Sequence, residues 1–433
     1  MLHRIVAKLL RPFSKVHPEE AATVVLMTAT SFLLLTAYYL LKTVREPLIL
    51  LRGGAEMKLY ARAAQALLMV GVVHVYGELA QRFGRMKLLS IVFLFFISNL
   101  VVFAVLAREE IEIGLPFFLW VGVFSYTVIA QFWALAADLY SEEQGKRLFA
   151  IIGGGSSLGA VAGGLFAKSL VPFGPYMLMT VAVGLLLVCV ALIGWIQRRA
   201  VAAVRHDQPA ADTPLSQHDT WHVLLHDRYL IVIAGMAVFL NWVNSSGEYV
   251  LDKTLMFAAN DVAAHGGSSR DFIGAFKADY YVWYNSIGLA LELFAVSRIL
   301  RLIGVRRALW VMPVFAFLAY GGAMFLPVLA VMRVVKIGEN SLQYSLQDTT
   351  RHSLFLVATR PEKFVGKTAV DTVAVRIGAI MSTVMVVAGQ YLGWSPRVYA
   401  AVNVGLALVW LGFVLLIARE HKRRSAETER AAL

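Results

Sequence analysis

Apolar stretches of roughly 20 residues recur along almost the whole of this chain, and each is long enough to cross the hydrocarbon of a bilayer as a helix. A backbone in lipid must satisfy its own hydrogen bonds, so such stretches can only be helices there. The spans expected are 22–50, 60–81, 87–107, 115–140, 147–170, 174–197, 228–258, 277–300, 307–325, 328–357, 367–392 and 397–418. The expected fold class is therefore an all-α polytopic membrane protein with 12 transmembrane helices. Composition agrees, at 59% hydrophobic and 16% charged over 433 residues, where soluble domains sit near 45–50% and 25%. That pattern excludes a nucleic-acid-binding reading of the +12 net charge and makes a soluble enzyme a poor fit. The single cysteine, Cys189, excludes a disulfide framework within the chain.

Lys and Arg partition unevenly about these spans. Of the 40, 25 fall on the face carrying both termini and 7 on the other, the latter being Arg52, Lys58, Arg108, Lys168, Arg270, Lys277 and Arg397. The positive-inside rule places both termini in the cytoplasm, and an inner (cytoplasmic) membrane of a bacterium is the expected location. Residues 1–21 read as an N-terminal tail rather than a signal peptide, because no short apolar core with a cleavage site follows the basic residues. A polar stretch at 198–227 separates six spans (22–197) from six more (228–418), and 419–433 forms a C-terminal tail. Two landmarks recur: Gly84 in Arg82–Arg85 returns as Gly304 in Arg301–Arg307, 220 residues on, and Gly145-Lys146 returns as Gly366-Lys367, 221 residues on. Two six-helix halves with a basic glycine turn between their second and third helices resemble the major-facilitator pattern.

Eight basic residues remain inside spans: Lys42, Arg45, Arg62, Lys253, Arg333, Lys336, Arg351 and Arg376. A charge at the bilayer centre costs about 2.5–3.5 kcal/mol on insertion scales, so it faces a wet cavity or a partner. In the tenth span, Arg333, Lys336, Asn340, Gln343, Tyr344, Gln347 and Arg351 fall on one stripe at 100° per residue. The stripe runs about 27 Å at 1.5 Å per residue, which is the length of an aqueous path. The seventh span repeats the pattern with Asn241, Asn244, Ser245, Glu248 and Asp252, and Ser245-Ser246-Gly247 suggests local unwinding. The first span aligns Tyr38, Lys42 and Arg45, with Glu46 one turn from Lys42, and the fourth offers Tyr126, Gln131, Trp133 and Asp138.

Blander readings stand beside these. Lys42 and Glu46 also read as an intrahelical pair, and Arg333, Lys336 and Glu339 as a self-neutralising group. Asp138, Lys146, Asp371 and Arg376 read as gating charges near the cytoplasmic ends. Gly155, Gly159 and Gly163 form a small-residue stripe for close helix packing. A phosphate loop is excluded, since no Gly-Lys-Ser/Thr follows a glycine run. No metal-ligand spacing appears among the ten histidines, so neither metal nor cofactor is expected.

Three segments carry a resemblance. "FWALAADLYSEEQGKRLFAIIGGGSSLGAVAGG" (Phe132–Gly164), "ENSLQYSLQDTTRHSLFLVATRPEKFVGKTAVDTVAVRIG" (Glu339–Gly378) and "AYYLLKTVRE" (Ala37–Glu46) resemble the ATP/ADP translocase family, in its shorter bacterial branch. The resemblance implies a major-facilitator-like fold and nucleotide exchange without hydrolysis, with Lys42 and Lys367 at positions that handle substrate. The expected function is a transporter of an anionic, phosphorylated solute, nucleotides first, working as a monomer by alternating access. Lys42, Arg45, Arg333, Lys336 and Arg351 would meet phosphate, Asn340 and Gln343 would add polar contacts, and Tyr38, Tyr126 and Trp133 would stack on a base. Glu46, Glu248, Asp252 and Glu339 would balance charge or carry a coupled proton. The rivals are a proton-coupled exporter or flippase of an amphiphile and a non-transporting membrane sensor or scaffold.

Overall fold

A computed structural model describes residue 17 and residues 20–82, 85–203, 227–355 and 370–432. Helices make up nearly all of them, and no strand occurs among the described residues. In chain order they are α1 (Ala21–Arg82), α2 (Arg85–Arg108), α3 (Gly114–Leu139), α4 (Glu142–Leu170), α5 (Gly174–Ala203), α6 (Arg228–Ala264), α7 (Ser269–Leu291), α8 (Ser297–Ala308), α9 (Val311–Phe325), α10 (Leu329–Leu342), α11 (Asp348–Leu354), α12 (Val375–Tyr391) and α13 (Pro396–Ala432). Three π-helical turns join this series: Glu292–Val296 after α7, Gln343–Gln347 between α10 and α11, and Val370–Ala374 before α12. Among the described residues, six helical stretches are long and apolar enough to cross a membrane, or seven if the bent pair α7–α9 is counted as one.

Glycine sets the breaks. The first two expected spans form one 62-residue helix, which straight would run about 93 Å; it bends at Gly54, whose φ of 67° only glycine adopts cheaply. The basic turn expected at Gly304 is likewise a break inside α8, at φ 74°. Gly84, Gly366, Lys367 and most of 198–227 lie outside the described residues. The helix expected to end at 418 continues through Ala432, in a stretch rich in the good helix formers Ala, Glu, Lys and Arg.

The chain divides into two compact units. The first comprises residues 1–52, 64–209 and 262–285. Its largely aliphatic core includes an aromatic cluster, in which Trp120 stacks on Phe117 and Phe124, with Phe96 and Phe103 edge-on. Cys189 is buried there, its thiol 3.8 Å from the Thr30 carbonyl. The second comprises 53–63, 210–261 and 286–433. In it α9 lies along α13, and Val296, Ala308 and Leu346 form a small core beside two of the π turns.

At the start of α4 a capping box closes the helix: Ser141 accepts from the Gln144 amide and Gln144 reaches back to Ser141. Glu20, just ahead of α1, accepts from the Gln144 side chain at 2.8 Å and pairs with Arg147 at 3.2 Å. Burial pushes the Glu20 carboxyl up, but Gln144, the His17 amide and Arg147 outweigh it and hold it below the usual carboxylate range. A depressed folded-state pKa contributes stability above the unfolded value that is lost as pH falls through the folded one. Glu20→Gln is therefore expected to destabilise the protein slightly at pH 7, by at most about 1 kcal/mol. The difference from wild type should shrink as pH drops below about 4.5. A gap that widens in acid would contradict this assignment.

Candidate functional site

In the first unit, α1 presents Tyr38, Tyr39, Lys42, Arg45 and Glu46, and the segment 262–285 supplies their neighbours. The Lys42 ammonium donates to the Tyr284 hydroxyl at 2.8 Å and lies 4.5 Å and 4.9 Å from the Tyr281 and Tyr39 ring centroids. Tyr38 stands edge-on to Tyr39, with Lys42 5.9 Å from its ring. Each such cation–ring contact contributes about 0.5–2 kcal/mol depending on desolvation. Tyr39 completes the fence by donating to Asn285 at 3.0 Å. One turn on, Arg45 lies over the Phe118 ring at 4.6 Å and bonds Glu46 at 3.3 Å. The other Glu46 oxygen is 3.7 Å from Lys277, and both side chains are buried.

The remaining predicted residues of this unit lie elsewhere. Tyr126 is exposed, and Trp133 packs edge-on against Phe132 and Phe149. Asp138 is exposed near the end of α3, and Lys146 is the fifth residue of α4.

In the second unit α6, α9 and α10 build a buried polar cluster. Lys336 donates to Glu339 at 2.7 Å and to the Asn244 carbonyl at 3.1 Å. Tyr320 donates to the same Glu339 oxygen at 2.7 Å. The Asn244 amide donates to Asn340 at 2.9 Å and to Gln343 at 2.8 Å. Gly247 permits this, because a Cβ there would collide with the Tyr320 hydroxyl. The Ser245-Ser246-Gly247 stretch expected to unwind is regular helix; its glycine serves close approach, and Ser246 bonds Asn403 at 2.5 Å. Glu339 Oε1 is buried and has no hydrogen-bond partner among the described residues.

A second cluster joins the segment 53–63 to α6. Lys58 lies 2.7 Å from Asp252 and 3.4 Å from Glu248, all three buried. Arg62 is 3.9 Å from Glu248, and Lys253 reaches Glu56 at 2.5 Å, with Tyr249 donating to Glu56 at 2.9 Å.

The long stripe of the tenth span is divided by the π turn at Gln343–Gln347. A π turn inserts a residue into the helical ladder, so positions beyond it rotate by about 100° from a straight projection. Arg333 is half-buried one turn before Lys336, whereas Tyr344 is exposed and Gln347 buried. Arg351, past the turn, bonds Asp348 at 3.2 Å. Arg376 is half-buried on α12, Asp371 lies in the last π turn, and Lys367 is outside the described residues.

Lys58 and Lys277, which the charge partition had given to connections, are instead buried in helices and paired with acids from α1 and α6. Helical periodicity held the signal for the first: counting back one turn from Arg62 puts Lys58 on the same face.

An all-helical chain with buried ionisable clusters inside its apolar helices has the architecture of a membrane transporter. The family model of the Major Facilitator Superfamily matches residues 22–353, and the chain belongs to that superfamily. A protein called ADP,ATP carrier protein 1 from Chlamydia pneumoniae is 21% identical over 334 residues, covering 65% of this chain and 62% of that protein. Its counterpart from Chlamydia muridarum is 22% identical, over 65% of this chain and 60% of that protein. The matched stretch thus spans about three fifths of those relatives' length. Among solved structures, the POT family transporter PepTSo is similar at a TM-score of 0.67 with 12% identity, over 93% of this chain and 98% of that one. The nucleoside transporter NupG is similar at 0.59 with 13% identity, over 93% and 98%.

Proposed function

We propose that this major-facilitator protein exchanges an anionic, phosphorylated solute across a bacterial inner membrane, with a nucleotide as first candidate. The proposal takes twelve spans, both termini cytoplasmic, and alternating access by two six-helix halves. The observation that carries it is the tyrosine fence around Lys42, a fixed cation bordered by π faces. Phosphate and a planar base call for that combination. Arg333 and Lys336 with Asn340 and Gln343 supply further cationic and amide groups, and the ADP,ATP carrier relatives make nucleotides the solute to test first. Asp138, Lys146, Asp371 and Arg376 remain the proposed cytoplasmic gating charges.

The test is thermal stabilisation of detergent-purified protein by ATP, ADP, sugar phosphates and organic anions. A ligand at a hundredfold excess over its Kd adds about 2.7 kcal/mol. ATP or ADP is expected to raise the melting temperature with concentration, and Arg333→Ala to abolish the shift while leaving folded yield unchanged. A shift with another anion alone would discard nucleotides; silence throughout would discard the anion reading.

A second reading rests on Glu339. A buried carboxylate oxygen with no hydrogen-bond partner among the described residues is where a transported proton would reside. In that case the protein is a proton-coupled exporter of an amphiphile. Uptake or efflux collapsed by an uncoupler favours this reading, and activity that needs counter-substrate favours exchange.

A further inference from the structure

At one end of the first unit the helices enclose an open cup with about 400 Å³ of accessible space. Its walls are the end of the first limb of α1, the α2–α3 and α4–α5 connections, and the first turn of α7. Three arginines line it, Arg52, Arg108 and Arg270, together with two acids, Glu110 and Glu112. Arg52 is engaged by Glu112 on the rim. Arg108, an exposed side chain, lies 5.8 Å from the centroid of the Tyr176 ring. Glu110 holds a left-handed backbone at φ 56°, a conformation that costs a non-glycine residue about 1 kcal/mol or more. The connection that forms one wall is therefore bent at an energetic cost.

The cup does not end at its charged residues. A narrow cleft, sharing Arg270 and Pro47 with it, continues between α1, α5 and α7 past Val44, Val171 and Leu178. The cleft is almost wholly apolar and far too slim for a ring system, with about 20 Å³ of accessible space. Depth completes the picture. Arg108 is the last residue of one apolar span and Gly114 the first of the next, so the cup opens where hydrocarbon gives way to headgroups. Its rim keeps apolar side chains exposed, Leu51, Ile111 and Phe173 among them. A soluble anion has no use for that rim or for the cleft.

We infer that this cup binds a phospholipid, its phosphate between Arg108 and Arg270 and the start of one acyl chain against the mouth of the apolar cleft. Guanidinium groups match phosphate oxygens by paired, charge-assisted hydrogen bonds. The chemistry of the cup alone would also suit a free phosphate ester; the cleft and the interfacial depth assign it to a lipid. The site lies within one unit and does not involve the Lys42 or Lys336 clusters, so it stands whatever solute the protein carries.

The test is native mass spectrometry of delipidated, detergent-purified protein titrated with phosphatidylglycerol, with glycerol 3-phosphate as the chain-free arm. The double variant Arg108→Ala/Arg270→Ala is expected to weaken the tightest lipid adduct by about tenfold or more. Arg397→Ala, an exposed arginine in the other unit, should leave it unchanged. Elution of the double variant as a monodisperse peak will show that it is folded, as removal of two exposed side chains predicts. Lipid retention unaltered in the double variant would overturn the proposal. So would glycerol 3-phosphate displacing the lipid at comparable concentration, which would make the cup a site for free phosphate esters.

Discussion

Lys58→Ala is expected to destabilise the protein by about 3–5 kcal/mol. The ammonium lies 2.7 Å from Asp252 and 3.4 Å from Glu248, and all three residues are under a tenth exposed. Removing the cation takes the ammonium away from two buried carboxylates. Arg62, 3.9 Å from Glu248 and 30% exposed, approaches from the wetter side and is the weaker counter-charge. The loss should therefore exceed anything seen at the exposed Lys168–Asp279 pair, where about 1 kcal/mol is the ceiling. The companion variant separates a cost of burial from a cost of lost packing. Lys58→Met combined with Asp252→Leu replaces the pair by apolar groups of similar size, and such replacements are often neutral or stabilising. It should recover most of the melting temperature, giving a coupling energy of about 2 kcal/mol or more in a double-mutant cycle. If Lys58→Ala melts with wild type, the pair is solvated and the cluster is not as described.

Sequence periodicity was a good guide wherever the backbone is regular. The all-helical class follows from long apolar runs, and the break at Gly304 and the face of α1 that carries Tyr38, Lys42 and Arg45 follow from what only glycine tolerates and from a 3.6-residue repeat. What it could not reach has three physical sources. A π turn leaves no signature in hydropathy, so the stripe from Arg333 to Arg351 projects as continuous although Gln343–Gln347 divides it. A charge near the end of an apolar run reads as a connection when its partner is distant in sequence, as with Lys58 and Asp252 or Lys277 and Glu46. Finally, side chains at one helical spacing do not share one environment. Tyr39, unremarked beside Tyr38 in the sequence, borders Lys42 with Tyr281 and Tyr284, while Tyr126 is exposed.

Gly159→Leu is expected to destabilise the folded protein strongly, and Gly154→Leu, five residues earlier on the same helix, to leave it intact. The seam between α4 and α1 explains the contrast. A Cβ at Gly155 would meet Thr28 and Ser31, one at Gly159 would strike the Phe32 carbonyl, and one at Gly163 would come within 2.7 Å of the Thr36 carbonyl. The backbones are that close because the glycines allow it, and two hydroxyls then span the seam: Ser31 donates to the Ile152 carbonyl at 2.9 Å and Thr36 to that of Gly159 at 3.2 Å. Between helices in a bilayer, packing and such bonds must supply what the hydrophobic effect supplies in water. Leucine at 159 cannot be absorbed by a rotamer change, since the obstacle is backbone. The helices must separate, losing both bonds as well as the packing, at a cost of about 3 kcal/mol or more. At Gly154 a Cβ meets nothing within 4 Å, and replacing glycine in a helix gains about 0.5–1 kcal/mol from reduced backbone freedom. Thermal melts of the two variants should therefore move in opposite directions. Gly159→Ala should already fall below wild type, because the first carbon is the one that collides. Equal behaviour at 154 and 159 would mean that the three glycines are a helical accident and that something else holds α1 against α4.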